Sequence, residues 1–204
     1  MVNKKRDRSK NYSPQTKVGQ DAKKTICINF FAGAGAGKST IATLIHALLK
    51  MHGITSEYTA EFAKDLAWEG RLELKVNDVH LFGEQHNRQF RLNGQVDCII
   101  SDSPLLLSSV YRSNDTLLHA LVLQEFKKYE NVNFYVKRKK PFIPKGRKGT
   151  KLDATKIDRK TIQMLDNEQI PYTVVEGTWE GANQVLEFVL KRLNIKQKYK
   201  ITIA

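Results

Sequence analysis

AGAGAGKST, at residues 32–40, lies between a continuous apolar run and a helical pattern, and this arrangement is the strongest indication of the fold. It meets the pattern G-x-x-x-x-G-K-[ST] except at the first position, where Ala32 replaces Gly. Glycines allow consecutive backbone N–H groups to turn toward one anion and let that anion approach closely. The sequence therefore predicts a phosphate-binding loop that joins a buried strand to a helix.

Each residue of this loop has an expected ligand contact. Lys38 is expected to reach the β- and γ-phosphates of ATP, and Ser39 is expected to hold Mg²⁺. The N-terminus of the following helix adds a favourable dipole. A glycine-rich turn without a ligand is the alternative, which the strand–loop–helix context disfavours. The predicted nucleotide-binding residues are Gly33, Ala34, Gly35, Ala36, Gly37, Lys38, Ser39 and Thr40.

Outward from the loop, short apolar runs alternate with helical patterns along the chain. Strands are predicted at residues 25–31, 55–59, 96–100, 131–136 and 171–177. Helices are predicted at residues 38–51, 77–92, 104–112, 115–128, 153–167 and 178–194. This alternation predicts an α/β fold with a five-stranded, mostly parallel sheet and helices on both faces.

Two details of this prediction concern element faces and the chain end. The second predicted helix is expected to turn four residues toward the core: Val79, Phe82, His86 and Phe90. The tail KQKYKITIA, at residues 196–204, is considered as an added edge strand.

Composition predicts one domain, at residues 25–204, preceded by a basic and flexible arm at residues 1–24. The chain is 41% hydrophobic, which is enough for a sizeable core. No apolar run approaches the length of a membrane span, so a soluble cytoplasmic protein without a membrane partner is expected. Cys27 and Cys98 lie within strand-like runs and are interpreted as buried thiols rather than a disulfide or metal pair.

The formal net charge of +13 is concentrated in two segments. Residues 1–24 carry eight Lys or Arg and two Asp, and residues 137–160 carry eleven Lys or Arg and two Asp. The rest of the chain sums to −2. A polyanionic partner, nucleic acid first, fits this distribution because binding releases condensed counterions. A solvated tail is the alternative for the arm.

Two carboxylates follow strands and are candidate catalytic residues. Asp102, in IISDSPLLL, ends the third strand, where an acidic group organises Mg²⁺ and its waters. Its alternative role is to cap a helix that begins at Pro104. Glu61 follows the second strand and is expected to accept the proton of an acceptor hydroxyl. Alternatively, Glu61 is a solvent-exposed acid in the first turn of a helix.

Further side chains are predicted to bind the acceptor or close over it. Around Glu61 and along the second helix these are Lys64, Asp65, Trp68, Gln85, Arg88 and Arg91, with a packed or solvated helix face as the alternative. KRKKPFIPKGRKGTK, at residues 137–151, combines Pro, Gly and dense positive charge, which predicts a mobile lid. Arg138 and Arg147 are its candidate catalytic residues, since guanidinium makes bidentate phosphate contacts.

From about Thr25 to Asn194, the chain resembles the small P-loop kinases of bacteriophage genomes. The matching parts are AGAGAGKST, EFAKDLAW, the helix with EQHNR, SDSPLLL and KPFIPKGR. The wider group includes thymidylate and deoxynucleoside kinases, in which a glutamate after the second strand acts on the acceptor hydroxyl; Glu61 matches that placement. Deoxynucleoside kinases carry Glu-Arg-Ser where this chain has Asp-Ser-Pro.

The resemblance implies an ATP- and Mg²⁺-dependent kinase, and the basic segments favour a hydroxyl on nucleic acid, DNA first, as the acceptor. Phage relatives include kinases that phosphorylate hydroxymethyluracil in DNA, and polynucleotide kinases act on the terminal hydroxyl of a strand. A kinase for free nucleosides or nucleoside monophosphates is the second hypothesis. A regulatory ATPase is the third.

Overall fold

Five strands form one sheet in the computed structural model, which describes residues 25–71, 77–111, 116–139 and 150–199. The strands are β1 (Ile26–Phe31), β2 (Ser56–Thr59), β3 (Cys98–Ser101), β4 (Glu130–Lys137) and β5 (Thr173–Glu176). Their order is β2-β3-β1-β4-β5, and every pairing is parallel. The predicted five-stranded parallel sheet is confirmed, and β1, which leads into the phosphate-binding loop, lies at its centre.

Seven helices connect these strands within the same ranges: α1 (Lys38–Met51), α2 (Phe62–Trp68), α3 (Asp78–Phe90), α4 (Leu107–Tyr111), α5 (Thr116–Phe126), α6 (Lys151–Asn167) and α7 (Trp179–Arg192). α6 begins with a capping box, in which Thr150 and Asp153 satisfy each other's backbone N–H groups. Among the described residues, no helix is both long enough and apolar enough to cross a membrane.

Helices cover both faces of the sheet because β1 is apolar at successive positions, which point alternately to opposite sides. Ile28 and Phe30 pack in a core with residues of α1 and α7. Cys27 and Phe31 pack in a second core with residues of α3, α5 and α6. Cys27 and Cys98 are both buried free thiols, as predicted.

The predicted inward face of α3 is wrong at two positions. Val79 and Phe90 are 68% and 63% exposed, whereas Phe82, Gln85 and Gln89 are buried. The buried residues follow the i, i+3, i+7 spacing of a helix face. Two glutamines can be buried on this face because each makes a hydrogen bond there. Gln85 accepts one from the Phe62 N–H, and Gln89 donates one to the Ser101 hydroxyl.

Three other predictions concern the ends of the chain and the lid. Residues 195–199 form no strand, so the described part of the predicted edge strand is wrong. His52 Nε2 instead accepts hydrogen bonds from the N–H groups of Lys198 and Tyr199 in this segment. The arm at residues 1–24, lid residues 140–149 and residues 200–204 lie outside the described residues.

Candidate active site

The phosphate-binding loop joins the end of β1 to the first turn of α1 and is shaped by two glycines. Gly37 has φ of 110°, a left-handed conformation that strains any residue with a Cβ. Gly33 is required for a different reason, because a Cβ there would lie 2.3 Å from the main-chain oxygen of Ala154 in α6. The loop is therefore packed directly against α6, which follows the predicted lid in sequence.

Lys38 is buried inside this loop. Its Nζ donates hydrogen bonds to the main-chain oxygens of Ala32 at 2.8 Å and Gly33 at 3.2 Å. Burial lowers the pKa of Lys38, and nearby negative charge opposes that shift. Three carboxylates supply that charge: Glu61, Asp102 and Asp158. Two of these acids follow β2 and β3 and the third lies in α6, so their charges converge on the lysine predicted to bind phosphate.

Asp102 follows β3 and is only 3% exposed. Its Oδ2 accepts a hydrogen bond from the Tyr58 hydroxyl at 2.6 Å. Burial and the Asp102 carboxylate raise the pKa of Tyr58, and the neighbouring Ser39 acts to lower it. Oδ1 of Asp102 is buried and has no hydrogen-bond partner among the described residues. Main-chain turn hydrogen bonds begin at Pro104, but the described side-chain hydrogen bond of Asp102 goes to Tyr58 and not to these turns, so the described contacts do not support the alternative capping role.

Ser39 and Asp102 fit the predicted Mg²⁺ site. A buried carboxylate oxygen without a partner is costly unless a cation or water satisfies it. Mg²⁺ takes oxygen ligands and is usually held by one or two carboxylates together with substrate phosphates. The hydroxyl of Ser39 and Oδ1 of Asp102 are oxygen donors of this kind, and both lie beside the phosphate-binding loop.

Glu61 directly precedes α2 and is its N-cap residue, yet its side chain makes no capping hydrogen bond. Its charge acts on Lys38 and on Tyr58. The carboxylate is therefore close to the phosphate-binding loop rather than engaged with the helix that it precedes. This position favours the predicted role in the site over that of a solvated first-turn acid.

α2 and α3 bring together three of the six predicted acceptor residues. Gln85 Oε1 accepts from the Phe62 N–H at 3.0 Å, while its Nε2 is buried without a partner among the described residues. Arg88 donates to Asp65 at 2.5 Å and to the main-chain oxygen of Ala60 at 3.2 Å. Its guanidinium also lies 5.2 Å from the centre of the Phe62 ring.

The other three predicted acceptor residues are more open. Lys64 and Arg91 are exposed, and Trp68 is 66% exposed. Arg88 makes its hydrogen bonds with Asp65 and with the backbone that leads into α2. These contacts differ from the prediction, in which Arg88 and Gln85 bind one anion together. Gln85 is the member of this set with a buried hydrogen-bond donor that has no partner among the described residues.

Arg138 follows β4 and is held against the phosphate-binding loop. Its guanidinium donates to the main-chain oxygen of Ala34 at 2.7 Å and pairs with Asp158 at 2.9 Å. The other oxygen of Asp158 accepts from the Gly33 N–H at 2.6 Å. Both side chains are 14% exposed. The base of the predicted lid is thus connected to the loop, while Arg147 lies outside the described residues.

Sequence reasoning missed Asp158 and Tyr58. Asp158 is one of only two acids in the basic segment at residues 137–160, and this rarity is the sequence feature that could have indicated its role. Tyr58 lies within the second strand three residues before Glu61, and an isolated tyrosine in a strand gives no functional signal. Its contact with Asp102 exists because β2 pairs with β3, with Tyr58 opposite Ile100.

A family profile described as an AAA domain matches residues 27–181, which is more than half of the chain. The chain belongs to this AAA domain family. The family consists of P-loop NTPases, in agreement with the strand, loop and helix that surround Lys38. No curated protein matches the chain by sequence.

Solved structures are similar to this chain, and the likeness to NadR is a likeness of fold. NadR in complex with NAD and AMP-PNP is 10% identical and has a TM-score of 0.60; the match covers 87% of this chain and 52% of NadR. The chain thus spans about half the length of NadR. Deoxyadenosine kinase from M. mycoides is 14% identical, with a TM-score of 0.48 and coverage of 82% and 98%. The APS kinase of Mycobacterium tuberculosis is 15% identical, with a TM-score of 0.39 and coverage of 72% and 99%.

Proposed function

We propose that this protein is an ATP-dependent phosphotransferase that moves the γ-phosphoryl group of ATP to a hydroxyl. The observation that carries the proposal is the convergence of Glu61, Asp102 and Asp158 on the buried ammonium of Lys38 at the phosphate-binding loop. A lysine for the phosphates, an acid for the metal and an acid for the acceptor are the parts that phosphoryl transfer needs.

Each part has a proposed role in the reaction. Lys38 binds the β- and γ-phosphates by exchanging its two carbonyl partners for phosphate oxygens. Mg²⁺, held by Ser39 and Asp102, neutralises charge on the phosphates when it is bound. The acceptor oxygen bonds to the γ-phosphorus as the bond to the β–γ bridging oxygen breaks, and ADP leaves. Glu61 orients the hydroxyl and takes its proton.

Arg138 is proposed to contribute positive charge at the loop side of the reaction. It already contacts Ala34 of the loop, and its partner Asp158 holds it in place. Arg147 is proposed to supply a second guanidinium from the lid. Fixed positive charges of this kind stabilise the negative charge of the transferring group.

The favoured acceptor is a hydroxyl on nucleic acid, either the hydroxymethyl group of hydroxymethyluracil in phage DNA or a terminal strand hydroxyl. Support comes from the charge distribution, since the net charge of +13 lies in the arm and the lid-containing segment. Closing on one nucleotide does not require so many Lys and Arg residues. Binding to DNA that weakens steeply with salt is expected from such a surface.

A free nucleoside or nucleoside monophosphate is the second candidate acceptor, and Gln85 supports it. This side chain is 5% exposed, and its amide N–H₂ group beside α2 has no partner among the described residues. A buried amide donor can hydrogen-bond the edge of a single base, and a site with such a donor rejects molecules that leave it unpaired.

The deciding experiment is a transfer assay with γ-phosphate-labelled ATP and Mg²⁺. The acceptors are duplex DNA with hydroxymethyluracil, unmodified DNA, RNA with free ends, and a mixture of nucleosides and their monophosphates. Label on modified DNA or on strand ends supports the favoured acceptor, whereas label only on small molecules supports the second. Label released solely as inorganic phosphate would contradict a kinase and indicate an ATPase.

Lys38→Ala is the control for the site itself. We expect this variant to fold, as judged by circular dichroism, and to lose transfer to every acceptor, because the ammonium is the buried cation of the loop. Full transfer activity in folded Lys38→Ala would refute the assignment of the site.

A further inference from the structure

Tyr58 contacts one of the two side chains that fit the Mg²⁺ site and neighbours the other. Its hydroxyl donates to Oδ2 of Asp102 at 2.6 Å. Burial and Asp102 raise the pKa of Tyr58, and the neighbouring Ser39 acts to lower it. No other side chain of β2 makes a hydrogen bond to Asp102 among the described contacts. We propose that Tyr58 is a positioning residue that holds Asp102, beside Ser39, in the arrangement that binds the cation. This inference rests on the proposed function.

The geometry explains why one hydroxyl has this effect. A carboxylate has two oxygens, and the bond from Tyr58 occupies Oδ2. Oδ1 is left buried and without a partner among the described residues, so it is the oxygen that remains for a cation. Since Asp102 is 3% exposed, solvent offers few competing contacts that would select another rotamer. The hydrogen bond therefore fixes which oxygen faces the ligand.

The fold fixes Tyr58 independently of any ligand. Tyr58 lies on β2 and is paired with Ile100 of β3, two residues before Asp102. Its ring centre lies 6.4 Å from that of His46 in α1. Because α1 also carries Ser39, the tyrosine connects the strand that leads to Asp102 with the helix that carries the hydroxyl ligand. Outer contacts that orient metal ligands change metal affinity by roughly 10–100-fold when removed.

The test substitutes Tyr58→Phe, which removes the hydroxyl and keeps the ring. Calorimetry measures the binding of a non-hydrolysable ATP analogue in EDTA and at increasing Mg²⁺, so that no acceptor and no turnover are needed. We expect the Mg²⁺ concentration for half-maximal enhancement to rise by about tenfold. Binding in EDTA should stay within about twofold of wild type, because Lys38 and the loop are unchanged.

Tyr172→Phe is the matched control. It also removes a tyrosine–aspartate hydrogen bond, the exposed one from Tyr172 to Asp166 at 3.2 Å. Tyr172 is half-buried and precedes β5, at the opposite end of the sheet order from β2. Its Mg²⁺ titration should match wild type. A second comparison uses Asp102→Asn: adding Tyr58→Phe to that variant should change the Mg²⁺ requirement no further, since the hydroxyl acts through Asp102.

Three results would overturn the inference. The first is a Tyr58→Phe titration that coincides with wild type. The second is an equal loss of binding in EDTA and in Mg²⁺, which would mean that the hydroxyl serves the nucleotide or the fold. The third is wild-type binding that does not respond to Mg²⁺ at all, which would remove the metal site and Tyr58's role with it. Failure of the proposed function is seen separately, as a normal titration without phosphoryl transfer to any acceptor.

Discussion

Replacing Gly33 with alanine tests whether α6 packs against the phosphate-binding loop. The added Cβ would lie 2.3 Å from the Ala154 main-chain oxygen and 3.0 Å from Oδ1 of Asp158. The backbone φ of Gly33 lies outside the left-handed region, so the conflict is steric rather than conformational. A main-chain atom within a helix cannot rotate away, and α6 or the loop must shift to make room.

The expected cost follows from the size of that shift. Ordinary van der Waals contact begins at 3.4 Å, so the oxygen and the added Cβ must move apart by about 1.1 Å or more. Overpacking of this kind destabilises proteins by about 1–3 kcal/mol. For a chain of this length, each kcal/mol lowers Tm by about 2–4 °C, so a decrease of about 2–12 °C is expected. Nucleotide affinity should fall as well, because the same shift displaces Asp158 and the loop that carries Lys38.

Gly83→Ala supplies the matched control for this measurement. Gly83 lies in α3 and is exposed, and a Cβ added there would meet no atom within 4 Å. Alanine there should stabilise the helix by about 0.5–1 kcal/mol and raise Tm slightly. Differential scanning calorimetry of the two variants, with and without an ATP analogue, gives the comparison. A Gly33→Ala protein whose Tm equals or exceeds that of wild type would refute the close packing of α6 on the loop.

Two further predictions concern buried groups. Asp158→Asn keeps an oxygen that accepts from the Gly33 N–H but removes the negative charge opposite Arg138. Urea unfolding should therefore show a free energy of unfolding lower by about 1–3 kcal/mol. Unchanged stability would contradict a structural role for the Asp158–Arg138 pair. Burial, and then the neighbouring Cys98, raises the pKa of Cys27 to about 12 from 9.0. At about pH 8 the native thiol should therefore react with a disulfide reagent roughly 10³-fold more slowly than the unfolded one; equal rates, with Cys27 identified by mass spectrometry, would contradict this.

The sheet could be predicted from sequence because its central strands β1 and β3 are strongly apolar and the connecting helices are periodic. β1 is buried at all six positions, and α1 begins and ends where the pattern indicates, at Lys38 and Met51. The inward face of α3 could not be predicted in the same way. Its buried glutamines are chosen by hydrogen-bond partners on α2 and β3, and such partners are fixed only by tertiary structure.

The candidate site shows the same difference between features that follow from local sequence and features that depend on tertiary contacts. Lys38, Glu61 and Asp102 could be predicted to lie near one another because the ends of parallel strands gather at one edge of a sheet, and their charges do interact. Their roles in a reaction stay predictions. Tyr58 and Asp158 could not be found, since each acts through a contact between elements distant in sequence. Asp158 meets Gly33 across 125 residues and Arg138 across 20, and neither spacing has a local pattern.

The balance of charge in the site has a consequence for nucleotide binding. Three carboxylates surround the Lys38 ammonium, and Arg138 is the other cation whose charge acts on it among the described residues. The phosphates of ATP would bring further negative charge next to Glu61 and Asp102 in a buried setting, where repulsion is poorly screened. Additional positive charge must offset it. Under the proposed function, Mg²⁺ at Asp102 and the Lys and Arg residues of the segment at 137–160 are the sources that this chain offers. The acids proposed for the reaction would therefore also make the affinity for nucleotide depend on the metal.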